Sequence, residues 1–222
     1  MSFSEQLIAW RRELHQNPEL SGQEVETTAR LREWLTAAGI APLPYDLQTG
    51  LVAEIGTGNA LVALRADIDA LPIDERSGVP FSSRRAGVMH ACGHDIHTSV
   101  ILGAALKLKE REASLNGRVR ILFQPAEETF EGSKNMIEHG ILENPKVDAA
   151  LAYHVSPGQM PVGIYMYNST GTMMYSVDGF HIEIKGKGAH GAYPQNSVDP
   201  INIAAHVYFA LQSVIAREAD PS

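Results

Sequence analysis

The clearest structural signal in the sequence is the stretch Leu61-Val-Ala-Leu-Arg-Ala-Asp-Ile-Asp-Ala-Leu-Pro72, which is apolar at its start and acidic at its end. This pattern is typical of a buried strand whose carboxyl end opens into a site. The two-residue period of a strand places Asp67 and Asp69 on the same face. Because like charges repel, we expect these carboxylates either to orient a metal-binding histidine or to act as turn and capping residues before Pro72.

Helices and apolar strands alternate on both sides of this stretch. We predict strands at residues 51–55, 61–68, 119–123 and 147–154. We predict helices at 3–16, 25–38, 93–112 and 132–142. Ser21 and Glu24 have the spacing of a capping box, which would begin the second helix. The alternation predicts an α/β layer fold.

The pattern changes near residues 171–179, which suggests a second domain. A half-exposed strand is predicted at 180–185, followed by a glycine-rich turn at 186–191 and a helix that starts at Asp199-Pro200. One strand and one helix cannot enclose a core, so further residues or a partner would have to complete this domain. We therefore assign residues 1–177 to a first domain and 178–222 to the beginning of a second.

Composition excludes several classes of function. The chain has 222 residues, of which 44% are hydrophobic and 20% charged, so it has the composition of a folded protein. Its net charge is −8 without a basic block, which argues against nucleic-acid binding. The longest stretch free of charged side chains, residues 149–177, is broken by proline and glycine, so no membrane helix is expected. A single cysteine, Cys92, suits a reducing compartment, and we expect a cytoplasmic location.

Metal-ligating side chains are densest in Met89-His-Ala-Cys-Gly-His-Asp-Ile-His97. Cys92 and His94, at the start of a predicted helix, could converge on one metal ion, and the helix N-terminus favours a thiolate. Taken singly, each residue could equally be a buried cysteine or a capping histidine. Taken together they predict a metal site, because zinc ligands do not usually occur alone.

Further candidate site residues lie at the ends of two predicted strands and in the glycine-rich turn. Glu127 and Glu128 follow a strand and can point in different directions, one to a metal and the other to act as a general base, although a solvated acidic loop is the alternative. His154 ends a strand, where either a site histidine or a satisfied core histidine is expected. His190 lies in the glycine-rich turn, and its local pattern alone is typical of an exposed loop histidine.

Five motifs, in order, carry a family resemblance: His15-Gln-Asn-Pro-Glu-Leu20, Arg65-Ala-Asp-Ile-Asp-Ala-Leu-Pro72, Met89–His97, Phe123-Gln-Pro-Ala-Glu-Glu128 and Gly188-Ala-His-Gly-Ala-Tyr-Pro194. Together they resemble the amidohydrolase branch of the aminoacylase/carboxypeptidase metallopeptidase family. That branch includes hippurate hydrolases, auxin–amino-acid conjugate hydrolases and N-acetyl-diaminopimelate deacetylases. The resemblance spans essentially the whole chain and is specific for the family but not for the substrate.

The resemblance implies a zinc-peptidase-like three-layer α/β/α catalytic domain and the start of an inserted α+β, ferredoxin-like lid and dimerisation domain. It implies four metal ligands: Cys92, His94, Glu128 and His154. It also implies that Glu127 is the general base, that Asp69 orients the metal centre, and that His190 steadies the oxyanion. His97 and Asp95 would have supporting or structural roles. Other branches carry histidine where Asp67 stands and aspartate where Cys92 stands.

The function implied is hydrolysis of the amide bond of N-acyl amino acids, with two divalent metal ions. Zinc or manganese is expected, with cobalt or nickel also permitted. The partners implied are a small N-acyl amino acid substrate and, through the lid, a second copy of the chain. The sequence stops inside the implied lid, so a final ligand histidine would lie beyond residue 222. Two alternatives are an inactive metal-binding remnant or interaction module, and a thiol enzyme with Cys92 as nucleophile and His94 as base.

Overall fold

A computed structural model describes residues 1–156, 158, 161–171, 174, 177 and 179–217. The chain divides into two compact units, Met1–Met160 and Pro161–Ser222. The domain division expected between residues 177 and 178 stays a prediction, and residue 178 lies outside the described residues. Among the described residues, no helix combines the length and apolar character needed to cross a membrane.

The first unit contains the predicted helices and strands. The helices are α1 Phe3–Gln16, α2 Val25–Ala37, α3 His94–Glu110 and α4 Gly132–Glu138, and a short 3-10 helix spans Glu112–Ser114. The strands are β1 Leu51–Thr57, β2 Leu61–Asp67, β3 Gly117–Gln124 and β4 Ala149–Ala152. The ends differ most in α4, which stops at Glu138, and in β4, which is shorter at both ends than the predicted strand.

The four strands form one mixed sheet in the order β1-β3-β2-β4. β3 runs antiparallel to β1 and parallel to β2, and β4 is parallel to β2. β1 and β2 are therefore sequence neighbours that do not pair, because β3 lies between them. The register pairs Asp67 with Gln124, so the carboxyl ends of β2 and β3 reach the same edge of the sheet. That edge is where the candidate site residues collect.

Helices cover both faces of the sheet. On one face, Phe123 of β3 packs in a core that includes Leu35 of α2 and Leu102 of α3, all three fully buried. On the other face, Leu122 packs in a second core with Met136 of α4. Neighbouring residues of β3 point to opposite faces of the sheet because side chains alternate along a strand. The predicted layered α/β fold is confirmed.

The predicted capping box at the start of α2 is wrong. Glu24 is the N-cap residue of α2, but its side chain makes no capping hydrogen bond. Its buried carboxylate instead accepts hydrogen bonds from the Ala126 amide at 2.7 Å and from the Thr49 hydroxyl at 2.8 Å. The Ser21 hydroxyl donates to Asp69 at 2.7 Å. A buried carboxylate is costly unless it accepts hydrogen bonds. Here the partners of Glu24 and Ser21 lie far away in the sequence, and these hydrogen bonds replace the local capping pattern.

The second unit contains helix α5, Pro200–Arg217, as predicted, and a 3-10 helix at Pro194–Asn196. The strand predicted at 180–185 is not formed in this structure. A strand needs a partner, and the described residues of this unit supply only an isolated bridge between Lys187 and Val198. The ferredoxin-like character of a lid stays a prediction.

Candidate metal centre

The candidate site forms where β2 and β3 end and α3 begins. Asp67 is the last residue of β2, and Asp69 follows two residues later. α3 starts at His94, directly after Gly93, whose φ of 88° lies in the left-handed region. Glycine adopts this conformation without a Cβ clash, so the chain can turn sharply between Cys92 and His94. The turn brings a thiol and an imidazole to the same end of the sheet.

The Cys92 thiol lies next to His154, with 3.2 Å between Sγ and Nε2. The ligand atoms of Cys92, His94 and His154 all lie within 4.8 Å of one another. His94 is buried and Cys92 half-buried, whereas His154 is exposed. Sulfur and two imidazole nitrogens at this spacing form a donor set that suits zinc and other first-row divalent metals.

Two carboxylates also approach the same histidine. His94 Nε2 lies 3.9 Å from Glu127 Oε2 and 3.8 Å from Glu128 Oε1. His94 Nε2 and Glu128 Oε1 are both buried and have no hydrogen-bond partner among the residues that the structure describes. Leaving such atoms unpaired is costly, and a cation between them would satisfy both. The residues therefore fit a divalent metal ion.

Asp69 controls which nitrogen of His94 faces these groups. His94 Nδ1 lies 3.1 Å from Asp69 Oδ1 and 3.0 Å from the Asp69 carbonyl oxygen. Both partners are acceptors, so Nδ1 carries a proton, and in the neutral ring Nε2 presents its lone pair. The other oxygen of Asp69 accepts from the Glu128 amide at 3.0 Å. A carboxylate behind a histidine is the usual support for metal ligation.

Asp67 plays the matching part for His97, with 2.5 Å between Oδ1 and Nδ1. The ligand atoms of Asp67, His94 and His97 also lie within 4.8 Å of one another, and all three residues are buried. Arg65 Nη1 donates to the second oxygen of Asp67 at 2.9 Å. Both carboxylates are buried against imidazoles, which supports the expectation that they orient histidines.

The site has an excess of negative charge, which shifts the pKa values of its side chains. Burial, and next the charges of Glu128 and Glu127, raise the pKa of the Cys92 thiol to about 12. Burial alone would raise the pKa of Asp67, but the hydrogen bond with His97 and the Arg65 charge lower it to about 2. The pKa of Glu127 is raised by burial and by the Asp67 charge. A divalent cation would relieve this repulsion and favour the thiolate.

His190 belongs to the second unit, whereas the residues above belong to the first. Its side chain is exposed, and its Nδ1 accepts a hydrogen bond from the Ala192 amide at 3.2 Å. Its ring lies 5.8 Å from that of Tyr193, centroid to centroid. The role that the family resemblance implies for His190 stays a prediction.

Sequence reasoning missed a buried polar cluster behind the site. Asp95 Oδ2 lies 2.8 Å from His15 Nδ1 and 2.7 Å from Arg11 Nε. His15 Nε2 lies 3.1 Å from Glu75 Oε1. The cluster joins the end of α1 to the first turn of α3, next to His94. Its only sequence signal is that His15 and Asp95 each belong to a motif, and spacing does not predict their contact.

Comparison with known proteins places the fold and the site in context. The sequence profile of peptidase family M20/M25/M40 matches residues 63–219. N-acetyl-L-cysteine deacetylase of Bacillus subtilis is 47% identical over 99% of this chain and 52% of its own length. IAA-amino acid hydrolase ILR1-like 4 of Arabidopsis thaliana is 44% identical over 99% of this chain and 49% of its own. The chain thus spans about half the length of these curated relatives.

A solved structure supports the same assignment. The crystal structure of a dinuclear metal-binding M20 peptidase from Bacillus subtilis superposes with a TM-score of 0.70. The two proteins are 48% identical, and the match covers 72% of this chain and 45% of the other. The profile match extends over more than half of the residues and agrees with the layered sheet described above. On these grounds the chain belongs to peptidase family M20/M25/M40.

Proposed function

We propose that this chain carries the metal-binding part of an amidohydrolase that cleaves the amide bond of N-acyl amino acids. The observation that carries the proposal is the buried His94 Nε2, which has no hydrogen-bond partner in the part of the chain that the structure describes and lies close to Glu127 and Glu128. The same histidine also lies close to Cys92 and His154. The names of the relatives, a deacetylase of N-acetyl-L-cysteine and a hydrolase of IAA-amino acids, support an N-acyl amino acid as the substrate class.

In this proposal four side chains hold two divalent metal ions: Cys92, His94, Glu128 and His154. When bound, divalent metals supply Lewis-acid chemistry and lower the pKa of water to about 7. The donor set fits zinc and also permits manganese, cobalt or nickel. Asp69 orients the His94 ring through Nδ1 and accepts a hydrogen bond from the Glu128 amide. The positions of two proposed ligands therefore depend on a single carboxylate.

Glu127 is the proposed general base. Its Oε2 lies 3.9 Å from His94 Nε2, at the edge of the proposed metal centre. It would accept a proton from the attacking water and donate it to the nitrogen of the leaving amine. Burial, and next the Asp67 charge, raise the pKa of Glu127 towards the working pH, which helps a group that must both take and return a proton. His190 as oxyanion donor and the homodimer remain predictions from the family resemblance.

The test compares metal content and hydrolysis of N-acetyl amino acids for the wild-type chain, Glu127→Gln and Glu128→Gln. We expect Glu127→Gln to keep its metal and to lose roughly 10²–10⁴-fold in turnover, and Glu128→Gln to lose metal. Glu131→Gln, at an exposed position in the same loop, is the matched control. A fully active Glu127→Gln would exclude that residue as the base. Metal binding without turnover in the wild-type chain would instead favour the inactive metal-binding remnant.

A further inference from the structure

His154 is not held by the sheet that leads to it. The ladder between β2 and β4 ends at the pair Arg65–Ala152, two residues before His154. The His154 side chain is exposed. Among the described residues, its Nδ1 lies 2.6 Å from the carbonyl oxygen of its neighbour Val155, and its Nε2 lies 3.2 Å from the Cys92 sulfur. Something other than strand pairing must therefore keep this imidazole beside Cys92.

The support comes from the first turns of α3. The Val155 amide donates a hydrogen bond to His97 Nε2 at 3.0 Å. On the other side of His154, the Tyr153 hydroxyl lies 3.2 Å from the Ile96 carbonyl and 3.3 Å from the His97 carbonyl. Both neighbours of His154 are thus attached to the same helix. The rings of His97 and His154 pack edge to face, with 4.5 Å between centroids.

These contacts determine the tautomer of His97. A backbone amide can only donate, so Nε2 of His97 must accept and carries no proton. The proton therefore lies on Nδ1 and is donated to Asp67 Oδ1, 2.5 Å away. Asp67 is held in turn by Arg65, and both His97 and Asp67 are buried. Arg65 therefore donates to Asp67, Asp67 accepts from His97, and His97 accepts from the Val155 amide.

We propose that His97 is a positioning residue that holds His154 at the metal centre through the Val155 amide, and that Asp67 selects the His97 tautomer this requires. The inference rests on the proposed function for the role of His154 as a ligand. It also assigns His97 itself: with both ring nitrogens occupied, His97 is not a metal ligand, although it lies close enough to Asp67 and His94 to resemble one. In this role Asp67 acts through the His97 ring, while its second oxygen also lies 3.6 Å from His94 Nε2.

The first test uses variants that change hydrogen bonding at nearly constant volume. Asp67→Asn can donate to His97 Nδ1, which would move the ring proton to Nε2 and oppose it to the Val155 amide. His97→Phe fills the space without an acceptor, whereas His97→Gln places a carbonyl oxygen within reach of the amide. We expect Asp67→Asn and His97→Phe to weaken Co²⁺ and Zn²⁺ binding by roughly 10–100-fold, with partial rescue in His97→Gln.

Two readouts separate positioning from a general loss of structure. The thiolate-to-cobalt charge-transfer band of Cys92 should persist in His97→Phe at saturating Co²⁺, while the ligand-field bands change as His154 is displaced. In the metal-free chain, the Val155 amide should exchange with solvent roughly tenfold faster in His97→Phe than in wild type, as expected for one lost hydrogen bond. His139→Phe, at the exposed C-cap position of α4, is the control.

The outcomes distinguish the two proposals. Nitrogen NMR of the metal-free wild-type chain should show the His97 proton on Nδ1. A proton on Nε2, or wild-type metal affinity and cobalt spectrum in both Asp67→Asn and His97→Phe, would overturn the role of His97 while leaving the proposed hydrolase intact. If the wild-type chain binds no metal, the proposed function fails, and the tautomer and the Val155 exchange rate still decide whether His97 holds the His154 segment.

Discussion

Asp69 Oδ1 lies 3.1 Å from Nδ1 of His94, on the side of the ring away from the two glutamates. The contact fixes the proton on Nδ1 and leaves Nε2 as the free, more basic nitrogen. The same carboxylate also accepts hydrogen bonds from the Glu128 amide and the Ser21 hydroxyl. A single buried side chain therefore organises groups from three separate stretches of sequence.

Asp69→Asn should weaken metal binding without removing a proposed ligand. An amide in place of the carboxylate cannot accept from His94 Nδ1 and the Glu128 amide with the same strength, so both groups lose their orientation. We expect zinc affinity to fall roughly 10–100-fold, measured by titration calorimetry. Asp46→Asn, an exposed position, should bind zinc like the wild-type chain. Equal affinity in the two variants would refute this role of Asp69.

Gly93→Ala should destabilise the chain for two separable reasons. A Cβ at this position would lie 2.5 Å from Val155 Cγ2, and the φ of 88° strains any residue other than glycine by roughly 1–2 kcal/mol. The double variant Gly93→Ala/Val155→Ala removes the clash but keeps the backbone strain. In denaturant unfolding of the metal-free proteins, the free energy of unfolding of the double variant should therefore lie between those of wild type and Gly93→Ala, once the effect of Val155→Ala alone has been subtracted. A double variant no more stable than Gly93→Ala would show that the clash is absent.

Zinc binding should release a proton from Cys92. Because the pKa of this thiol is raised to about 12, the metal-free protein holds the proton at neutral pH, and only the thiolate is a good ligand. Zinc affinity should consequently rise with pH, with a contribution from the thiol of about tenfold per pH unit. Calorimetry in buffers of different ionisation enthalpy should show about one proton fewer released by Cys92→Ala. The same proton count in both proteins would mean that Cys92 does not ligate.

His15 should make stability depend on pH in the neutral range. The hydrogen bond with Asp95, opposed by burial and aided by Glu75, raises the pKa of His15 above 6.5 in the folded chain. A raised histidine pKa contributes stability that is complete below the unfolded value and is lost as pH rises through the folded value. The free energy of unfolding of the metal-free chain should thus decline from about pH 6.5 upward. In His15→Gln this part of the slope should disappear; an unchanged slope would exclude His15 as its source.

Much of the fold follows from local patterns. Apolar runs and helical periodicity place the helices α1 to α4 and the strands β1 to β4, since burial of one face is a local property of the sequence. The acidic end of β2 and the cluster from His90 to His97 likewise mark the edge of the sheet where the site forms. Residue types alone therefore indicate a metal-binding α/β protein.

Other features depend on contacts between residues far apart in the chain. The spacing of residues along the sequence does not reveal that β3 lies between β1 and β2. Nor does it reveal that the Ser21 hydroxyl donates a hydrogen bond to Asp69 instead of capping a helix. It also cannot tell His94 from His97, which have the same motif, similar burial and an aspartate each. Only the folded chain brings the Val155 amide to the His97 ring and leaves His94 Nε2 without a hydrogen-bond partner in the described part of the chain, because a hydrogen bond depends on distance and direction in space and not on position in the sequence.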